Sequence, residues 1–143
     1  MTDAHKKRPF ASPAWVDQAR SALEELVAVH GEEGTKFSVC ETFFDAPAAF
    51  ADDDGIAAWH MVVDGKSVHV ATGRIVDADV DIQATWESSL PRARLVYTPE
   101  LIAEWQESPP PPPDDPNLKV TGDPSDLPDY FAEFHNRLAV ITQ

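Results

Sequence analysis

Cysteine is nearly absent. Cys40 is the only one in 143 residues, which excludes an internal disulfide framework and any zinc knuckle built on thiolates. Glycine is scarce too: six are dispersed along the chain, and none opens a helix in the way that cradles a phosphate. No apolar run approaches the roughly 18 residues of a spanning helix, and the N-terminus lacks an apolar signal core. Cations are few. Lys plus Arg number 11 against 25 Asp plus Glu, a formal charge of −14, and three of the cations (Lys6, Lys7, Arg8) fall at the very start. Such a field repels phosphate backbones and anionic headgroups, so neither a nucleic-acid partner nor stable membrane insertion is expected. The expected location is the cytoplasm.

What is present suffices for a globular unit. Hydrophobic residues make up 43%, and a chain of this length buries roughly two-thirds of its unfolded surface. Residues 1–11 are polar and basic without periodicity and read as a flexible lead-in. Residues 12–143 read as one α+β domain. Ser12 caps a helix with Pro13 at its first position, and Trp15, Ala19, Ala22, Leu23, Leu26 and Val27 recur at helical spacing up to His30 and Gly31. From Lys36 the period becomes two, with Phe37, Val39, Glu41 and Phe43 alternating with Ser38, Cys40 and Thr42. A loop follows over 45–55. Two short apolar runs flank Asp64-Gly65 and predict a hairpin in which 63 faces 66 and 60 faces 69. Trp59, Met61, Val63, Val68 and Val70 then share a core face.

The alternation Asp77-Ala78-Asp79-Val80-Asp81-Ile82 predicts a strand with one wet face. Pro91 predicts a broken helix or a turn over 87–95. Thr98-Pro99 opens a short helix carrying Leu101, Ile102 and Trp105. Residues 108–117, with five consecutive prolines from Pro109 to Pro113, read as a polyproline connector. Leu118-Lys119-Val120 forms a short strand, and Pro124 starts a last helix with a stripe of Leu127, Tyr130, Phe131, Phe134 and Leu138. A run of strands followed by helices predicts a mostly antiparallel five-stranded sheet with helices over one face.

Chemistry-bearing groups are sparse. The hairpin pairs His60 with His69, half of a zinc site that Cys40 or Glu41 could extend; the alternative is two polar residues on the less buried face. Asp77, Asp79 and Asp81 lack the glycine and glutamate of a calcium loop and read as a solvated strand face. No nucleophilic triad is defined around Cys40. No catalytic residue and no cofactor are expected.

Several segments together resemble the sterol carrier protein family of lipid-binding domains. These are the hairpin Trp59-His60-Met61-Val62-Val63-Asp64-Gly65-Lys66-Ser67-Val68-His69-Val70, then Gly73, then Asp77-Ala78-Asp79-Val80-Asp81-Ile82, and Leu118-Lys119-Val120-Thr121-Gly122-Asp123 before an amphipathic helix. The resemblance implies an apolar pocket between sheet and later helices, lined by Trp86, Leu101, Ile102, Trp105, Leu127, Phe131, Phe134 and Leu138. It would hold a fatty acyl or sterol-like small molecule without catalysis. Two other readings stand beside it. One is an accessory protein with a solid core, docking a protein partner through its acidic face or through Pro109 to Pro113; an exposed stripe on the first helix would also allow a homodimer. The other is a small enzyme using His60, His69 or Cys40.

Overall fold

Ser12 caps the first helix through its side chain, which accepts from the Trp15 amide at 3.2 Å, and α1 runs Pro13–His30. The structure is a computed structural model, and it describes residues 7–111, 114–123 and 126–143. The inward stripe of α1 is sealed: Trp15, Val16, Ala19, Leu23, Leu26 and Val27 are all buried. Gly31 stops the helix where a Cβ would strike the Gly65 and Val27 carbonyl oxygens, so helix end and hairpin touch only because a side chain is missing there.

Five strands follow the alternation in the sequence: β1 (Lys36–Phe44), β2 (Ala57–Asp64), β3 (Ser67–Thr72), β4 (Val80–Thr85) and β5 (Lys119–Thr121), in the order β3-β2-β1-β4-β5. β1 and β4 run parallel and the other neighbours antiparallel. The remaining helices are α2 (Trp86–Arg94), α3 (Pro99–Glu107) and α4 (Tyr130–Ala139). Ring contacts put α1, α2 and α4 on one face: Trp15 lies 5.4 Å and Phe134 6.2 Å from Trp59, while Trp86 and Phe43 both meet Phe10. This is the α+β layering expected from the element order. Because β3 and β4 sit on opposite sides of β2 and β1, residues 73–79 must cross the other face. They close over Cys40 there, which meets the Ile75 backbone, and the Gly73 carbonyl oxygen lies 2.9 Å from His60 Nδ1.

Several expectations change in detail. The two-residue hairpin loop is Gly65-Lys66, with Asp64 opposite Ser67 and Val62 opposite His69, so His60 pairs with Ala71 and not with His69. Gly65 alone takes a positive φ (+62°), as a Gly-X turn requires. Each strand slips by one residue, so the shift conserves parity and the core face Trp59, Met61, Val63, Val68, Val70 survives. β4 begins only at Val80, because Asp77 is left-handed (φ +58°) and the Asp79 carboxylate accepts from the Ser38 amide at 2.8 Å. Pro91 does not break α2. The ring removes one backbone hydrogen bond, but Ser89 Oγ donates to the Thr85 carbonyl, Trp86 Nε1 to that of Phe10, and Arg94 to that of Gln143.

The lead-in is partly structural: the Arg8 amide donates to the Ile141 carbonyl at 2.7 Å, and Phe10 and Ala11 are core residues, since aromatic burial outweighs the cost of ordering a terminus. Residues 1–6, including Lys6, lie outside the described residues. So do Pro112 and Pro113 of the connector, and the helix start at Pro124. Beyond the connector, Asp115 accepts from the Thr85 amide and hydroxyl at 2.8 and 2.7 Å, which holds its carboxyl below the usual range. The last helix starts at Tyr130, so Leu127 is not on it; Pro128 disfavours helix at the residue before it.

Candidate ligand-binding site

The strand register aligns one face of the sheet beneath the helices. Phe37, Val39, Glu41 and Phe43 of β1 stand beside Val63, Met61, Trp59 and Ala57 of β2, and Val39, Glu41 and Phe43 beside Val80, Ile82 and Ala84 of β4. Val120 of β5 stands opposite Ile82. All of these inward positions are apolar except one, where a carboxyl group interrupts the row.

Glu41 lies mid-strand with hydrogen-bonded neighbours on both sides, and Cys40, Thr42 and Phe43 around it are buried. It nonetheless keeps accessible surface, which its side chain alone can supply, on the helix-covered face. Removal from bulk water pushes its carboxyl up to about 7. Its cross-strand partner Trp59 is 1% exposed, and Trp59 Nε1 makes no hydrogen bond of good geometry, although it is close enough to Glu41 to favour the carboxylate somewhat. Tyr97, between α2 and α3, reaches Glu41 electrostatically; burial raises its phenol, with Arg92 beside it drawing the other way. His135 of α4 stacks on the Tyr97 ring at 3.9 Å and is within 2.7 Å of the Leu95 carbonyl. Burial holds His135 below its ordinary pKa, so the neutral ring donates Nε2–H to that carbonyl.

The two halves of the helix layer differ. On the α1 side Trp59, Met61, Val63 and Leu23 are at most 1% exposed. On the other side no residue of α2 or α3 is buried, and Ile82, Trp86, Leu90, Leu101 and Trp105 all keep surface. Two hollows open elsewhere, around the C-terminal end of α1, the start of β1 and the entry to α4, and no residue of α2 or α3 lines either. One, of about 630 Å³, is lined by residues including Phe37, Val63, Pro128 and Tyr130. The other, of about 290 Å³, is lined by Phe37, Val80, Leu127 and Pro128 among others. Val80, which lines the smaller hollow, precedes Ile82 on the same face of β4 by one pleat, about 7 Å along the strand.

The eight residues expected to line one pocket are distributed. Phe134 and Leu138 are core residues, 6% and 5% exposed. Phe131 is half-buried against Phe37 at 5.7 Å, and Leu127 lines the smaller hollow. Trp86 packs partly on the core through Phe10. Leu101, Ile102 and Trp105 belong to α3, where Trp105 meets Tyr97 edge-on at 5.2 Å and Arg92 stands over its ring.

His60 and His69 lie on the opposite face as diagonal neighbours, with ring centroids 5.8 Å apart. Cys40 shares that face, but burial raises its thiol and no group of three metal-ligating side chains forms among the described residues. Glu41 points to the other side of the sheet and is no extension of that pair. Pattern reading named Glu41 only as a possible zinc ligand and missed Tyr97, Arg92 and His135. The first had a signal, a charged residue in apolar phase; the others are assembled only by packing.

No family model and no curated protein matches the chain. Among solved structures, it is similar to the crystal structure of sterol carrier protein 2, with 12% identity, 93% of this chain and 99% of that one covered, and a TM-score of 0.45. It is also similar to the solution structure of a conserved hypothetical protein from Thermus thermophilus, described as possibly a sterol carrier protein, with 17% identity, 96% and 94% covered, and a TM-score of 0.45. No helix among the described residues is long and apolar enough to cross a membrane.

Proposed function

We propose that this protein binds or transfers a hydrophobic small molecule with a long apolar body, a fatty acyl or sterol-like lipid, between its sheet and the helices α2 and α3. One observation carries this reading: apolar side chains of β4, α2 and α3 (Ile82, Trp86, Leu101 and Trp105) keep accessible surface, while the α1 half is sealed. Unfilled apolar surface inside a layered domain is where an apolar ligand gains most, about 0.8 kcal/mol per buried methylene. Trp86, Leu101 and Trp105 are the walls, Ile102 (38% exposed) stands at the mouth, and Phe131 and Leu127 mark the end toward the two hollows. Phe134 and Leu138 supply a firm floor. No step of this function needs a catalytic group.

Lipid extraction of the purified protein, followed by mass spectrometry, is expected to recover a bound amphiphile. Ile82→Trp, which fills the space from the sheet side, is expected to weaken binding of 1-decanol at least ~10-fold while the circular-dichroism spectrum is retained. Unchanged affinity in that variant would sink the reading.

A further inference from the structure

The inward face of β1 and β2 contains a mismatch that apolar binding does not explain. A carboxyl and an indole N–H, on cross-strand partners Glu41 and Trp59, face the same helix-covered space. The Trp59 N–H is fully buried without a well-formed hydrogen bond. A buried donor left in this state is a net cost to folding, as is a carboxyl removed from water with that same N–H as its partner. Leu or Phe would fit both positions without either cost. Glu41 keeps some accessible surface, whereas the Trp59 N–H has none, so a ligand group that reaches both must part the two side chains.

We infer that Glu41 and Trp59 form the polar anchor of the chamber and select a neutral amphiphile ending in a hydroxyl over the carboxylate of the same chain. The inference rests on the chamber proposed above. A hydroxyl is the small group that meets both demands at once: its oxygen accepts from Trp59 Nε1–H and its proton is donated to a Glu41 oxygen. A ligand carboxylate, by contrast, could accept from Trp59 but would meet a second carboxyl, and two carboxylates at such range hold one proton between them.

The charged and titratable surroundings are asymmetric. β2 and β4 offer only Trp59 and Ile82 on this face, while the helix layer brings Tyr97, with Arg92 beside its hydroxyl and His135 on its ring. Tyr97 and His135 are both neutral near pH 7 by the direction of their shifts. The arrangement therefore leaves Glu41 as the group whose ionisation changes the chamber in the neutral range.

The test compares 1-decanol with decanoate by titration calorimetry from pH 6 to 9, on the full chain and on Glu41→Gln. For the wild type, decanol affinity is expected to vary by less than ~3-fold, and decanoate affinity to fall about tenfold per unit above pH ~7, as its binding then requires uptake of a proton. At pH 8.5 the alcohol is then bound at least ~10-fold more tightly than the acid. Glu41→Gln, which keeps the shape and an acceptor oxygen, is expected to flatten the decanoate profile and shrink the preference to within ~3-fold. Equal binding of both chains by the wild type at pH 8.5, or an unchanged preference in Glu41→Gln, overturns this inference while leaving the chamber intact. Failure of the wild type to bind either chain overturns the chamber, and the inference with it.

Discussion

A carboxyl in an apolar row has consequences for folding apart from any ligand. In the folded chain Glu41 keeps its proton up to about pH 7, whereas in the unfolded chain it releases it near the ordinary value of 4.5. The folded state therefore binds more protons between those limits, and stability falls as pH rises through the window, by on the order of 3 kcal/mol in total. His135 acts oppositely: its depressed pKa is a contribution present above the ordinary histidine range and lost as pH falls through it. Comparing wild type with Glu41→Gln in urea at pH 5, 6, 7 and 8 separates the two. The variant is expected to gain on the wild type from pH 5 to about 7 and to level off by pH 8, and parallel curves throughout would contradict the burial of Glu41. A second site is sterically defined. Gly122 has φ +83° and a Cβ there would run into the Asp79 carbonyl, so Gly122→Ala is expected to detach β5 from β4, seen as rapid amide exchange at Val120.

Among the elements, α3 is the one held least by burial and most by a clamp. Asn136 of α4 accepts from the Tyr97 amide at 2.7 Å and donates to the Tyr97 carbonyl at 3.0 Å, a two-point grip on the residue that leads into α3. Thr98 then caps the helix by accepting from the Leu101 amide at 3.1 Å. Asn136→Ala is expected to speed amide exchange across 99–107 by about tenfold or more, because each lost bond to buried backbone contributes on the order of 1 kcal/mol. The α1 amides would be unaffected. Exchange that rises uniformly would mean that α3 is not a separable unit. Phe134 behaves differently from α3: it packs on Trp59 at 6.2 Å and on Phe131 at 5.7 Å. Phe134→Ala is therefore expected to cost about 3–5 kcal/mol of folding stability, read from urea unfolding. It reports on the core.

For the molecule as a whole, 25 acidic against 11 basic residues leave a self-repelling surface. Arg20–Asp17 and Arg137, shared between Glu25 and Glu133, are exposed pairs of small worth. Raising ionic strength from about 0.02 to about 0.5 M, which shortens the Debye length from about 20 to about 4 Å, is expected to raise the thermal midpoint by a few degrees. A midpoint that stays level or falls would show that the carboxylates are not repelling one another. The outer face of the sheet contributes differently: residues 73–79 cross it and close over Cys40, and burial there raises the thiol and keeps it unreactive.

Much of this was legible locally. Caps such as Ser12 and Thr98 act within one turn, and a period of two assigns faces to β1 and β2 whatever the rest of the chain does. For the same reason a slipped hairpin register left the core face unchanged while it separated His60 from His69. Pro91 misled because the bonds that keep α2 helical reach Phe10 and Gln143, far away in sequence. The amino-acid order by itself determined that Glu41 stands in an apolar row of the sheet. How tightly that row is covered, sealed beside α1 and with Ile82 and Glu41 keeping surface farther along, was decided by tertiary structure alone, because a gap is the difference between surfaces brought together from opposite ends of the chain.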